Sequence, residues 1–282
     1  MHNKLKLPLF LFGCPRSGTT YLQSLLTAHP EIISLPETKF FHYLLPDNEP
    51  KRRILGMASR RLRPKLETLF KNEMNRPDLL KYLPKNTLFI RQYTRRFLKI
   101  MNLLAEEEGK SIWLEKTPEH IRYIDYIEKN VPIAKFIHIQ RNGIDVVASL
   151  YEVSNKYPKF WYGGFDIDHC IDRWIEAVNI TSQHLHKNNH ILVKYEKLVD
   201  DTPTILKELC KFIGIEFDNK MLEDYQETAK SLIRKQSGRI VSQGAVNTRL
   251  QKFYQVFDQS QQEYILSRLT ELTLHGINPR GF

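Results

Sequence analysis

The sequence predicts an α/β protein: a P-loop-like central parallel sheet flanked by helices on both faces, with a helical insertion around residues 42–108. Three observations carry this. Short apolar runs (LFLF at 9–12, SIWL at 111–114, AKFIHIQ at 134–140, HILVKY at 190–195) alternate with longer stretches of helical period. Turn residues, charges or polar caps follow each run. The first such turn, GCPRSGTT at 13–20, departs by one residue from the phosphate-binding pattern G-x-x-x-x-G-K-[ST], because Thr19 stands where the lysine belongs. Strands that alternate with helices pair in parallel, and such sheets bind ligands at the carboxyl ends of their strands.

In chain order, the strand Leu9–Phe12 feeds the glycine loop and a helix. EIISLPET (31–38) is a second short apolar stretch. Residues 38–108 read as mostly helical, including DLLKYL and an amphipathic run over 86–108 that Gly109 ends. After the strand at 111–114, Pro118 opens a helix at a first-turn position, where its missing N–H costs nothing, with Thr117 as its cap. RNGIDVVASLYEV (141–153) is a turn and a helix, and a long helix lies near 168–187. Asp201 and Pro203 open a further helix whose apolar face carries Ile205, Leu209 and Phe212 and which Gly214 stops. Residues 237–253 read as a loop before a C-terminal helix.

The 282 residues show no repeat and no linker, so a single domain over 1–282 is expected. No stretch is long and apolar enough to span a membrane, and the run at 9–12 is too short for a signal peptide. Cys14, Cys170 and Cys210 are scattered and odd in number, which points to inert buried thiols, no metal site and a cytoplasmic, soluble protein. The net charge of +10 favours anionic ligands, and the excess is concentrated at 51–65 and 91–99. These segments read either as solvated helix faces or as a positive wall beside a site for an anionic donor and an acidic acceptor.

The loop itself offers backbone N–H groups and a helix N-terminus to an anion, Arg16 as a two-pronged cation, and the Thr19 and Thr20 hydroxyls. A nucleoside triphosphatase would need the absent lysine and a metal-holding carboxylate. The strand at 134–140 instead ends in Gln140 and Arg141, which would repel a metal ion. The site therefore reads as built for a smaller anion. Arg141 and Ser149, in the turn and two helical turns on, could share a further phosphate.

Gly13–Thr20 together with Arg141–Ser149 resembles the two cofactor motifs of sulfotransferases that use 3′-phosphoadenosine 5′-phosphosulfate (PAPS). GCPRSGTTYLQSLLTAHPEIISLPET is most similar to the tyrosylprotein sulfotransferase branch and its bacterial relatives. The resemblance covers residues 8–40, 111–155 and 190–215 and is poor over 42–108, where acceptor specificity would reside. It implies that Pro15, Arg16, Ser17, Gly18, Thr19 and Thr20 hold the 5′-phosphosulfate and that Arg141 and Ser149 hold the 3′-phosphate. It also implies that Tyr195 lines the adenine pocket and that Ser237 and Arg239 belong to a lid, where Gly244 replaces a family lysine.

Glu37 matches the family's catalytic base, with His42 in reserve; Arg16 and Lys116 supply the cations for the sulfuryl group, and Glu115 balances charge. The implied reaction is metal-independent, in-line transfer from PAPS to an acceptor hydroxyl (carbohydrate, lipid, small molecule or tyrosine), with PAP as product. Two other readings compete. A P-loop small-molecule kinase would need Mg²⁺ and a substitute lysine. A non-catalytic anion or nucleic-acid binder using 51–65 lacks any nucleic-acid motif, and no nucleic acid is expected.

Overall fold

The computed structural model describes residues 6–45, 47–84, 89–161, 163–232 and 251–274. Five strands, β1 (Leu7–Phe12), β2 (Ile32–Ser34), β3 (Ile112–Lys116), β4 (Lys135–Gln140) and β5 (His190–Lys194), form one sheet in the order β2-β3-β1-β4-β5. Every pairing is parallel. β1 lies between β3 and β4, so the direction in which strands are added reverses at its two sides. The crevice beyond its carboxyl end is the ligand position for a sheet of this topology.

The alternation within β1 builds both cores. Leu9 and Leu11 point to one face, where they meet Leu22, Leu25 and Leu26 of helix Thr19–Thr27 and Leu206 and Leu209 of helix Thr202–Ile213. Phe10 and Phe12 point to the other, where Phe136 and Trp113 stack or abut them. That face is closed by helices Ile90–Glu107, Gly143–Lys156 and Ile167–His184. Helices on both faces explain why the central strands are apolar throughout. Between β2 and β3 the described chain is helical, as expected, in short pieces that culminate in the 18-residue helix Ile90–Glu107.

Several local expectations change. The short stretch at 32–34 is an edge strand paired to β3. β3 continues past Leu114 because Glu115 and Lys116 still pair with Phe10 and Leu11, and this carries both charges into the interior. Pro118 opens a turn of 3-10 helix before helix Ile124–Asn130, and Thr117 does not cap it; its hydroxyl is used elsewhere. The stripe of helix Thr202–Ile213 is rotated by one residue from the expected face. Leu206, Leu209, Cys210 and Ile213 are buried, with Ile205 and Phe212 at the margin. The Asp201 cap and the left-handed Gly214 stop are where the sequence places them. All three cysteines are free and buried, and burial pushes the Cys14 and Cys170 thiols up to about 12 and Cys210 to about 11. Among the described residues no helix is long and apolar enough to cross a membrane.

Candidate active site

Five strand ends deliver the expected residues to one edge of the sheet. After β1 the chain turns through Gly13–Gly18, the Ser17 amide closing a turn onto the Cys14 carbonyl (3.1 Å), and helix Thr19–Thr27 begins. Arg16 (φ 76°) and Gly18 (φ 94°) adopt left-handed backbone. At Gly18 a Cβ would lie 2.3 Å from the Tyr195 ring, so glycine is required both by conformation and by the close approach of that ring. Gly13 is needed for another reason: a Cβ there would lie 2.5 Å from the Ile139 carbonyl oxygen of β4.

Beyond β4, Asn142 caps helix Gly143–Lys156 by accepting from the Ile144 amide (2.9 Å), and its own amide donates to Glu196 (2.9 Å). This fixes Arg141 over the face of Tyr195, with the guanidinium carbon 4.6 Å from the ring centroid. Burial pushes the Tyr195 phenol up, with Arg141 pulling the other way. Within the chain, Arg141 and Ser149 take different partners. Arg141 reaches Asp145 at 3.4 Å, one helical turn on, whereas Ser149 Oγ accepts from Arg16 Nε at 3.0 Å. The two predicted motifs are thus joined by Arg16–Ser149 on one side and by Gly18–Tyr195–Arg141 on the other.

Glu37 and Lys116 converge from separate elements. Lys116 Nζ donates to Glu37 Oε1 at 2.6 Å and approaches Thr20 Oγ1 at 3.4 Å; the side chains are 2% and 11% exposed for Lys116 and Glu37. A carboxylate, an ammonium and a loop hydroxyl therefore meet at the carboxyl edge of β1 and β3.

A buried network that sequence reading missed holds this pair in place. Glu115 accepts at Oε1 from the hydroxyls of Thr38 (2.7 Å) and Thr117 (2.8 Å), and at Oε2 from His120 Nδ1 (2.8 Å). His120 Nε2 in turn accepts from the Phe41 amide (3.0 Å), and Thr117 Oγ1 from the Lys39 amide (3.2 Å). The partners select the His120 tautomer with its hydrogen on Nδ1. Burial works to raise the Glu115 carboxyl, but the interaction with His120 and then the hydrogen bonds from Thr38 and Thr117 outweigh it and hold the carboxyl below its ordinary value. Rather than merely balancing Lys116, Glu115 ties the backbone after Glu37 to the end of β3. The signal was in the sequence as a carboxylate inside an apolar strand, WLEK.

His42, the reserve base, has its Nδ1 buried without a hydrogen-bond partner among the described residues, and burial lowers its affinity for a proton. It lines a cavity of about 310 Å³ with Tyr43, Asp47, Ser59, Arg60 and Arg61. Ser237 and Arg239 lie outside the described residues.

The residues present fit an anionic nucleotide. Arg141 Nε is buried with no hydrogen-bond partner among the described residues, and Arg16, Lys116, Thr20 and a helix N-terminus surround the loop. Fold and site together define a P-loop-like α/β protein with a cationic cradle at the carboxyl edge of its sheet. The particular family is given by the comparisons: the sequence profile of the sulfotransferase family matches residues 8–219, and the chain belongs to that family.

The chain is 25% identical over 252 residues to an uncharacterized protein of Aquifex aeolicus, covering 88% of this chain and 30% of that protein. It is 25% identical to protein-tyrosine sulfotransferase A of Caenorhabditis elegans (82% of this chain, 56% of that protein). To protein-tyrosine sulfotransferase 1 of Danio rerio it is 26% identical (82% and 59%). It thus spans between 30% and 59% of the length of these curated relatives. The fold is shared with the sulfotransferase domain from the curacin biosynthetic pathway, at TM-score 0.60 and 22% identity over 95% of this chain and 98% of that one. It is also shared with mouse sulfotransferase SULT7A1 complexed with PAP, at TM-score 0.52 and 13% identity over 95% and 86%.

Proposed function

We propose that this chain, acting as one domain, transfers a sulfuryl group from PAPS to an acceptor hydroxyl, with Glu37 as base. The observation that carries the reading is the convergence of Glu37, Lys116 and Thr20 beside the Arg16 loop. PAPS supplies a sulfuryl group on a 5′-phosphate leaving group. Glu37 takes the acceptor's proton as the new O–S bond forms and the bond from sulfur to the phosphate oxygen breaks. Lys116 and Arg16 meet the charge on the sulfuryl and leaving oxygens, and Thr20 adds a donor.

Before transfer, Lys116 and Glu37 neutralise one another. Binding of the donor draws Lys116 toward the sulfuryl oxygens and leaves Glu37 for the acceptor. Arg141, with Tyr195 beneath it and Asp145 orienting it, and Ser149 hold the 3′-phosphate end. Gln140 and Arg141 stand where a divalent cation would want carboxylates, which supports transfer without a metal. The acceptor is a hydroxyl compound whose anionic groups the surrounding cations favour. The three buried, unpaired thiols support a cytoplasmic setting.

PAP should raise the melting temperature without magnesium, whereas stabilisation by ATP with Mg²⁺ and not by PAP would select the kinase reading. Glu37→Gln should lower turnover by about 100-fold or more while PAP affinity stays within a few-fold; undiminished turnover of labelled PAPS would remove Glu37 from the mechanism.

A further inference from the structure

One surface of the helical segment carries both exposed apolar side chains and an unbalanced positive charge, and neither belongs to the site. Helix Pro50–Ile54 places none of its five residues in the core. It is held by Arg52, whose Nε donates to the Ala58 carbonyl (2.8 Å) and which lies 3.6 Å from Glu49. Its end leaves Ile54 85% and Leu55 63% exposed.

An antiparallel bridge between Met57 and Phe89, with the Ile90 amide donating to the Gly56 carbonyl (3.0 Å), brings the start of helix Ile90–Glu107 alongside. Phe89, at that junction, is 53% exposed. Three of the most exposed large apolar side chains thus gather at one place. Around them the sequence has seven lysines and arginines and no carboxylate over 50–65, and four more with none over 91–99. Glu49 and Glu67 answer Arg52, Arg60 and Arg63, but Lys51, Arg53, Arg91 and Arg95 are exposed and form no ion pair among the described residues.

We propose that this surface docks the protein on an anionic lipid bilayer, with Ile54, Leu55 and Phe89 entering the headgroup boundary and the flanking cations lying against the lipid phosphates. Interfacial attachment needs an apolar tip together with a basic surround. A polyanion such as nucleic acid would use the cations and leave the apolar tip in water. A second copy of the chain would bring like charges together. Arg60 and Arg61 belong both to this basic segment and to the lining of the cavity beside His42. The inference does not depend on the transfer chemistry.

The test is flotation of the full chain with phosphatidylcholine vesicles, with and without phosphatidylglycerol, at low and at physiological salt. Binding should require the anionic lipid and weaken as salt rises. Ile54→Ser with Leu55→Ser should weaken it by about tenfold, and Lys51→Glu with Arg53→Glu by at least about fivefold for each charge removed. An unchanged PAP-induced melting shift in both double variants would show that the fold is intact. Absence of the wild-type chain from anionic vesicles would overturn the proposal, as would equal flotation of the apolar variant. Displacement from vesicles by duplex DNA, with no loss in the Ser variant, would assign the surface to nucleic acid instead.

Discussion

Two buried polar networks of this fold differ in what they hold. At the carboxyl edge, Glu115 is a fixed charge with a complete set of donors, each anchored to the segment after Glu37 or to the turn after β3. Near the amino end of β5, a chain of imidazoles runs outward from the core. Thr181 Oγ1 lies 3.1 Å from His138 Nδ1, His138 Nε2 lies 2.8 Å from His190 Nδ1, and His190 Nε2 lies 3.0 Å from Glu128. With Glu128 accepting, each imidazole donates outward and accepts from within, so the chain is complete with both rings neutral. Lys187 closes it at the other Glu128 oxygen (2.6 Å). The first network keeps one geometry by keeping one charge state, and the second is satisfied only while its imidazoles stay neutral. The network beside the Lys116–Glu37 pair is therefore the more sensitive to losing a partner, and the histidine chain the more sensitive to pH.

The largest expected break is at the hub. Glu115→Ala would leave Thr38, Thr117 and His120 without their acceptor, and should cost about 3 kcal/mol in a urea melt and lower turnover as Glu37 loses its placement. Equal stability of the variant would mean that the network carries no strain-free advantage over its alanine replacement. Gly18→Ala comes next. The left-handed backbone adds about 1–2 kcal/mol, and the collision with Tyr195 should weaken PAP binding in calorimetry, whereas alanine at Gly56, also left-handed but facing open space, should cost only the backbone part.

The histidine chain gives the third. Burial chiefly, then the neighbouring imidazoles, lower His138 to about 3, and burial also lowers His190. The unfolded chain takes up the His138 proton near pH 6.5, so its contribution is full above that pH and drains as pH falls toward 3, with His190 acting in the same direction. Between those limits His138 should steepen the loss of stability by about 1.4 kcal/mol per pH unit, and His138→Phe should flatten the acid limb of a melting-temperature profile. Smallest is the exposed pair Arg122–Glu176: Arg122→Ala should shift stability by less than about 1 kcal/mol.

Legibility in the sequence followed how locally each feature is encoded. Strand alternation, the caps at Asp201 and Gly214 and the glycine loop depend on neighbours within a few residues, and the sheet and its ligand edge follow from them. Glu37, Lys116, Arg16, Ser149 and Tyr195 could be singled out because motifs mark them, and the structure brings them together. Their partners could not. Arg16 selects Ser149 across 133 residues, and Arg141 turns to Asp145, through side-chain directions that sequence spacing leaves open. Thr117 looked like a cap because Pro118 follows it, yet Glu115, fully buried two residues back, competes for the same hydroxyl and wins. A lone carboxylate within an apolar strand needs partners, and here the sequence did not indicate that they come from Thr38 and His120.

The Lys116–Glu37 pair has one further consequence. Both groups leave water when the chain folds, and they do so as a neutral couple. The penalty of stripping water from a carboxylate and an ammonium is thereby met once, at folding, and in the proposed reaction not again at each turnover. A solvent-exposed base would have to shed its hydration every time a substrate arrived. In the proposed reaction this carboxylate would have only to exchange one close neighbour for another.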